Sequence, residues 1–184
     1  MQKQEKTSVL IAILLVLAAA AVKVITHPHT LDPIIGMALF SGAVIKDRKL
    51  SFIIPLAAMF LSDVVLEISK IDQGFYGLGQ LVNYGLLIMI TMVGFNIKKI
   101  KAVNVVGFSL LSSIIFYLVS NLGFFLIENR TYHTYPNTIN GLYTCYVKAW
   151  PFFKWYIDLA YSVILFGSYY LLTNYVVNNN KARA

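Results

Sequence analysis

Residues 51–68 read SFIIPLAAMFLSDVVLEI, an apolar run that Asp63 interrupts five residues before its end. Such a run is long enough to cross a bilayer as a helix, and Pro55 sits near its first turn, where proline is least disruptive. A carboxylate within it is costly, about 2.5–3.5 kcal/mol for an Asp near the bilayer centre. Asp63 is not alone. Further apolar runs occupy residues 8–25, 33–45, 78–97, 103–127 and 152–177, and three of them carry Asn83, Asn121 and Asp158. If successive runs alternate in direction, all four polar side chains fall roughly 7–11 Å below the same membrane surface, at 1.5 Å of rise per residue. A ring of polar groups at one level predicts a shared cavity with Asp63, Asn83, Asn121 and Asp158 as its polar anchors. Single Asn or Asp residues can also join helices without binding anything, typically for about 0.6 kcal/mol each.

The whole composition agrees with a membrane setting. Hydrophobic residues make up 58 % of the 184 residues and charged residues 12 %, about half the charge of a soluble domain, and mean hydropathy is +0.70. The fold class expected is therefore all-α: one domain, residues 1–184, of six transmembrane helices over the runs given above, with a long outer loop at 128–151. Within the first run, residues 18–21 resemble a signal-peptide cleavage region, and the run is read as a retained first helix. The 33–45 run is short for a span and holds Gly36, Ser41 and Gly42, so it either re-enters or borrows flanking residues. Ala38 and Gly42 in that run have the small-xxx-small spacing that lets helices approach closely.

The net charge of +7 does not indicate nucleic acid, because the basic residues sit in short clusters between apolar runs. With the N-terminus cytoplasmic, ten lysines and arginines fall inside and five outside (Lys23, Lys70, Arg130, Lys148 and Lys154). That asymmetry supports an even number of spans with both termini in the cytoplasm.

The long connection reads ENRTYHTYPNTINGLYTCYVKAWP, with turn formers at Pro136-Asn137 and Asn140-Gly141. Aromatic rings mixed with a few fixed polar groups suit a small planar ligand, so Tyr135, Asn137, Tyr143, Tyr146 and Trp150 are the expected walls and lid over the polar ring. The alternative is a set of interfacial anchors. Glu67 stands four residues after Asp63 on the same helical face, and the two repel if both are ionised. Lys23, Arg130, Lys148 and Lys154 are available to pair with the acids of the ring.

Several chemistries are excluded or disfavoured. Cys145 is the one cysteine, which rules out an internal disulfide and a cysteine-built zinc site. His27, His29, Asp32, His133 and Cys145 share the outer side, but His-Pro-His alone is a weak metal signal and no metal site is assigned. No HExxH, GxSxG, Walker A or dinucleotide-binding glycine pattern is present, so neither an enzyme nor a cofactor is expected.

The strings LDPIIGMALFSGA (31–43), IIPLAAMFLSDVVLE (53–67), SNLGFFL (120–126) and YPNTINGLYTCYVKAWPFF (135–153) resemble an uncharacterised family of six-helix bacterial membrane proteins. That family is itself similar to the substrate-binding S components of energy-coupling factor transporters, which import vitamins and some metal ions. The resemblance implies a multi-pass protein of the inner membrane with an outward-facing pocket, membrane lipid around it, and partners comprising a membrane coupling protein and ATPase subunits. The alanine-every-fourth-residue pattern usual in the first helix of S components is missing, since Val16 stands between Ala12 and Ala20. The function expected is capture of a small solute, vitamin-like or metallic, for uptake. The alternative is a scaffold subunit of a larger membrane complex.

Overall fold

The computed structural model describes residues 2–26 and 32–182, and no strand occurs among the described residues. The helices are α1 (Gln2–Ile25), α2 (Ile34–Val44), α3 (Arg48–Ser69), α4 (Leu78–Gly94), α5 (Ala102–Gly123), α6 (Asn129–Tyr132), α7 (Ile139–Ala149) and α8 (Trp155–Ala182). Four helical stretches are long and apolar enough to cross a membrane: 6–25, 48–69, 102–132 and 155–176. Helices α2 and α4 are apolar but shorter. All six expected runs are thus helical, while the span count divides into four long helices and two short ones.

Local chemistry sets several boundaries. Helix α3 begins three residues before the apolar run because the Asp47 carboxylate accepts the Leu50 N–H at 2.9 Å, capping the first turn. It ends where Lys70 turns left-handed, at φ 53°, and donates its N–H back to the Glu67 carbonyl. Arg48 at the start of α3 lies 3.7 Å from the centre of the Phe95 ring just after α4, tying those two helix ends together. Helix α8 runs to Ala182, past the end of the last apolar run at residue 177.

Two helices of the bundle expose apolar residues and bury polar ones beside an apolar core. On α5, Leu111, Ile114, Leu118 and Leu122 are exposed while Ser109, Ser112 and Ser113 are buried. On α3, Ile53, Phe60, Leu61, Val65 and Ile68 face outward while Ser62 and Asp63 are buried. Lipid accepts the first set, and the interior must satisfy the second.

Helix α2 is the axis. It packs against α1, α3, α4, α5 and α8, and all nine of its residues from Ile34 to Gly42 are buried. Its 11 residues span only about 16 Å, against a hydrocarbon thickness of about 30 Å. Phe40, in its lower half, stacks edge-on against Phe166 and Tyr169 of α8 at 5.2 and 5.6 Å.

Small residues let α2 reach this central position. A Cβ on Gly42 would stand 2.0 Å from the Thr91 carbonyl oxygen, and one on Gly94 would stand 2.4 Å from the Leu39 carbonyl oxygen, so α2 and α4 cross with backbone against backbone. The close approach expected from Ala38 and Gly42 is therefore internal packing.

The 128–151 segment is a correction to the sequence reading, being mostly helix. Beyond Gly123 the helix of α5 continues through a π-helical turn (Phe124–Glu128) into α6. Residues 139–149 form α7 and Trp150–Phe152 a 3₁₀ turn. Thr138 caps α7 by accepting the Gly141 N–H at 3.2 Å. The Asn140-Gly141 pair, read as a turn, is the first turn of that helix, where a Cβ on Gly141 would meet the Pro136 carbonyl oxygen at 1.8 Å.

Gly42→Ala is expected to lower the melting temperature in detergent, and Gly42→Leu to prevent a monodisperse fold, because the Thr91 backbone has to move in both; overpacking of this kind costs about 1–3 kcal/mol or more. Gly107→Ala, where nothing lies within 4 Å of the new Cβ, is expected to be neutral or stabilising by up to about 1 kcal/mol. Circular-dichroism melts compare the three, and an unchanged midpoint for Gly42→Ala would contradict the backbone contact.

Candidate functional site

Helix ends of alternating polarity converge at the end of the bundle away from both chain termini. The last turns of α1, α3 and α5 bring Lys23, Asp63 and Asn121, and the first turns of α4 and α8 bring Asn83 and Asp158. Between them, Asp32 and Ile34 mark the start of α2. Two adjoining cavities lie about the start of α2 among these helix ends.

The larger cavity, about 400 Å³, is lined by Asn121 and Asp158 together with Ser113, Phe116, Tyr117 and Phe153, among others. The smaller, about 370 Å³, is lined by Asp63 and Asn83 with Lys23, Asp72 and Tyr76. Asp32, Ile34 and Phe116 border both. The four polar residues singled out in the sequence therefore divide two and two around neighbouring spaces.

Asp63 is fully engaged. Its side chain is buried, Lys23 Nζ lies 2.7 Å from Oδ1, and Oδ2 accepts Gln80 Nε2 at 2.9 Å and the Tyr84 hydroxyl at 3.0 Å. This network joins α1, α3 and α4. Gln80 also donates to the Gly74 carbonyl at 3.1 Å. Glu67 escapes the expected repulsion by turning to the following loop, where Oε2 accepts the Gly74 and Phe75 N–H groups at 2.9 and 3.3 Å. Lys23, one of four candidate partners in the sequence, is the one that meets Asp63.

Asn83 donates to the Tyr76 hydroxyl, and burial of that ring pushes the Tyr76 phenol above its ordinary value despite the opposing hydrogen bond. Asn121 donates to the Tyr117 carbonyl one turn earlier at 2.7 Å. Asp158 lies beside Ser113. At the start of α2 the Asp32 carboxylate accepts the Ile34 N–H at 3.1 Å, placing negative charge at the positive end of the helix dipole.

The aromatic cover is built differently from the expected lid. Tyr117 stands at its centre, 5.8 Å from Tyr146, 6.0 Å from Trp150 and 4.9 Å from Phe153 between ring centres. Tyr117 and Tyr146 are tied further, the Tyr117 hydroxyl donating to the Tyr146 carbonyl and the Tyr146 hydroxyl to the Leu118 carbonyl. Tyr146 and Trp150 thus back the cavity wall through Tyr117, and the lining itself comes from Ala149, Phe152 and Phe153.

Tyr135, Asn137 and Tyr143 are not among the residues that line either cavity. Tyr135 packs on Phe124, and both it and Asn137 are held by the buried Asn129, whose amide bonds to the Tyr135 backbone and to the Asn137 side chain. Asn137 borders a separate surface recess with Arg130 and His133. Tyr143 is 70 % exposed on the outer face of α7.

The sequence reading missed Ser113, Phe116, Tyr117 and Ser120, although their signal was available. With Asn121 they fall at i, i+3, i+4, i+7 and i+8, one face of α5. His27 and His29 lie outside the described residues. Among the described residues no three metal-ligating side chains come together.

Cys145 is buried on the inner face of α7, its thiol 3.9 Å from the Asn121 carbonyl. Desolvation pushes its pKa up, the opposite of what a nucleophilic thiol needs.

The chain belongs to the family of unknown function DUF6580, whose model matches residues 3–181. No curated protein and no solved structure matches it.

Breaking the buried ion pair from either side, with Lys23→Met or Asp63→Asn, is expected to cost about 3–5 kcal/mol. The double variant is expected to lose much less than the sum, as read by a double-mutant cycle of thermal unfolding. Additive losses would show that the pair is not coupled. Cys145 is expected to react with maleimide far more slowly than a free thiol at neutral pH, because a raised pKa leaves less thiolate. Its rate should climb as pH rises and stay below that of free cysteine; labelling as fast as a peptide thiol would contradict the burial.

Proposed function

We propose that this member of DUF6580 captures a small organic solute in the paired cavities, with the cavity end facing outward and both termini in the cytoplasm. The carrying observation is the larger cavity at the start of α2, in which the polar Asn121 and Asp158 stand beside the rings of Tyr117 and Phe153. Its volume falls in the range of about 300–1,000 Å³ usual for small-molecule sites. The asymmetry of ten inner against five outer basic residues supports the orientation.

Uptake needs energy, and the chain carries no Walker A motif to harvest it. In this proposal a membrane coupling protein with ATPase subunits supplies it, in the manner of energy-coupling factor systems. The chain then acts in the bacterial inner membrane as a substrate-binding component without chemistry of its own.

A scaffold role is the second reading, and Lys23–Asp63 favours it. That pair is closed upon itself by Gln80 and Tyr84, which suits helix cohesion. Asp63 is therefore moved, in this proposal, from ligand anchor to cavity framework, and Asp158 with Asn121 carries recognition.

Native mass spectrometry of the protein purified in nanodiscs is expected to find a bound small molecule that Ser120→Trp, which fills the larger cavity, abolishes without altering the melting temperature by more than a few degrees. Asp158→Asn is expected to reduce that occupancy severalfold. A protein that carries no adduct from cells or after incubation with a metabolite extract, and whose Ser120→Trp variant supports growth like the parent, would favour the scaffold.

A further inference from the structure

We propose that the surface recess beside α7 binds an acidic phospholipid, its phosphate against Arg130 and Asn137 and an acyl chain along α5. The site is separate from the two cavities, and the inference does not depend on solute capture.

The recess, about 700 Å³, lies between the end of the α5–α6 stretch and the start of α7. Its apolar lining is Phe125, Leu126, Ile139 and Leu142, and its polar lining is Arg130, His133, Asn137 and Thr138, with no acid among them. Glu128, the acid nearest in sequence, turns to α4, where a Cβ on Gly79 would meet its Oε1 at 1.5 Å. Lys23–Asp63 is the one ion pair within 4 Å among the described residues, so no carboxylate neutralises Arg130 at that range.

The polar groups of the rim present donors. A guanidinium donates and never accepts. For Asn137 the hydrogen bonds decide which way the amide points. The Tyr135 N–H can only donate, and it goes to Asn129 Oδ1 at 2.7 Å. The Asn129 amide nitrogen therefore donates, to the Tyr135 carbonyl at 2.9 Å and to Asn137 at 3.1 Å. Asn137 receives that bond on its oxygen, which leaves its amide nitrogen for another acceptor. Thr138 Oγ accepts the Gly141 N–H, and its hydroxyl proton remains available. A rim of positioned donors with a permanent positive charge suits a phosphodiester, which offers acceptors and a negative charge. A zwitterionic headgroup would bring its own cation to a rim that has no acid to receive it.

Depth and the apolar floor select a lipid as the source of the phosphate. The helical stretch 102–132 has 31 residues, about 46 Å of rise. It follows the Lys98, Lys99 and Lys101 cluster at the opposite surface, and about 20 of its residues suffice to cross the hydrocarbon. Residues 125–133 then stand at headgroup level. The Cβ of Arg130 tilts toward the N-terminus of its helix, back toward the bilayer. Leu122 and Leu118 are exposed on α5 one and two turns before Leu126, and this leucine row leads from the recess toward the middle of the span. A soluble anion would use the donors and leave the floor uncovered.

The test uses the full chain in nanodiscs made from equal parts dioleoyl phosphatidylcholine and dioleoyl phosphatidylglycerol, with retained lipid counted by native mass spectrometry. The parent is expected to keep phosphatidylglycerol severalfold over phosphatidylcholine. Arg130→Gln is expected to bring the two to parity. Asn137→Asp, which keeps the oxygen that Asn129 binds and replaces the free donor with a negative charge, is expected to do the same. Lys148→Gln, an outer cation away from the recess, is expected to keep the preference. Both recess variants are expected to melt within a few degrees of the parent in phosphatidylcholine alone, which separates loss of the lipid from loss of the fold. Parity in the parent would overturn the proposal, as would a preference that survives Arg130→Gln or that Lys148→Gln abolishes equally. Inorganic phosphate that raises the melting temperature as much as phosphatidylglycerol would assign the rim to a soluble anion instead. A dimer that excludes lipid and is broken by Ile139→Asp would assign the recess to a second copy of the chain.

Discussion

The length of α2 governs this structure. A helix of 11 residues at the axis of a bundle whose other long members have 17 to 28 fills one half of the interior, and the two cavities lie about its first turn. Close crossing at Gly42 and Gly94 and the stacking of Phe40 on α8 hold α2 in the filled half. Polar groups set among apolar ones in the walls help these cavities to persist. An apolar void there would collapse or draw in lipid, whereas carboxylates, amides and hydroxyls retain water or a solute.

The Lys23–Asp63 pair works on the boundary of that space. Desolvating two charges costs more than their attraction returns unless other groups complete the shell, and Gln80 and Tyr84 complete it. The pair therefore joins three helices at one point and fixes the side of the smaller cavity. Among the described residues no ion pair within 4 Å is formed by Asp158. The two aspartates thus have different surroundings: one joins helices, and the other lines the larger cavity beside Ser113.

Over the larger cavity, α7 provides a rigid cover instead of a flexible loop. Its inner face, with Cys145 and Tyr146, rests on α5, while Ile139, Tyr143 and Val147 lie outward at helical spacing. The π-helical turn before α6 makes this possible. An extra residue in the turn shifts the phase of the helix, and Asn129 then faces inward to bind the Tyr135 backbone and the Asn137 side chain.

Periodicity and cost determine what a sequence can say here. Six apolar runs separated by charged clusters determine six helices, and polar residues too costly for lipid single out Asp63, Asn83, Asn121 and Asp158, all of which line the two cavities. Those conclusions need only rise per residue and solvation free energy. The helical nature of α7 was obscured because Pro136, Asn137, Asn140 and Gly141 are turn formers in isolation, and only contact with α5 and with the Pro136 carbonyl selects the helix. Which of four lysines and arginines meets Asp63, which residue pairs share a cavity, and the place of α2 at the axis were decided by tertiary structure. Each depends on the relative rotation of helices far apart in the chain, which no local pattern encodes.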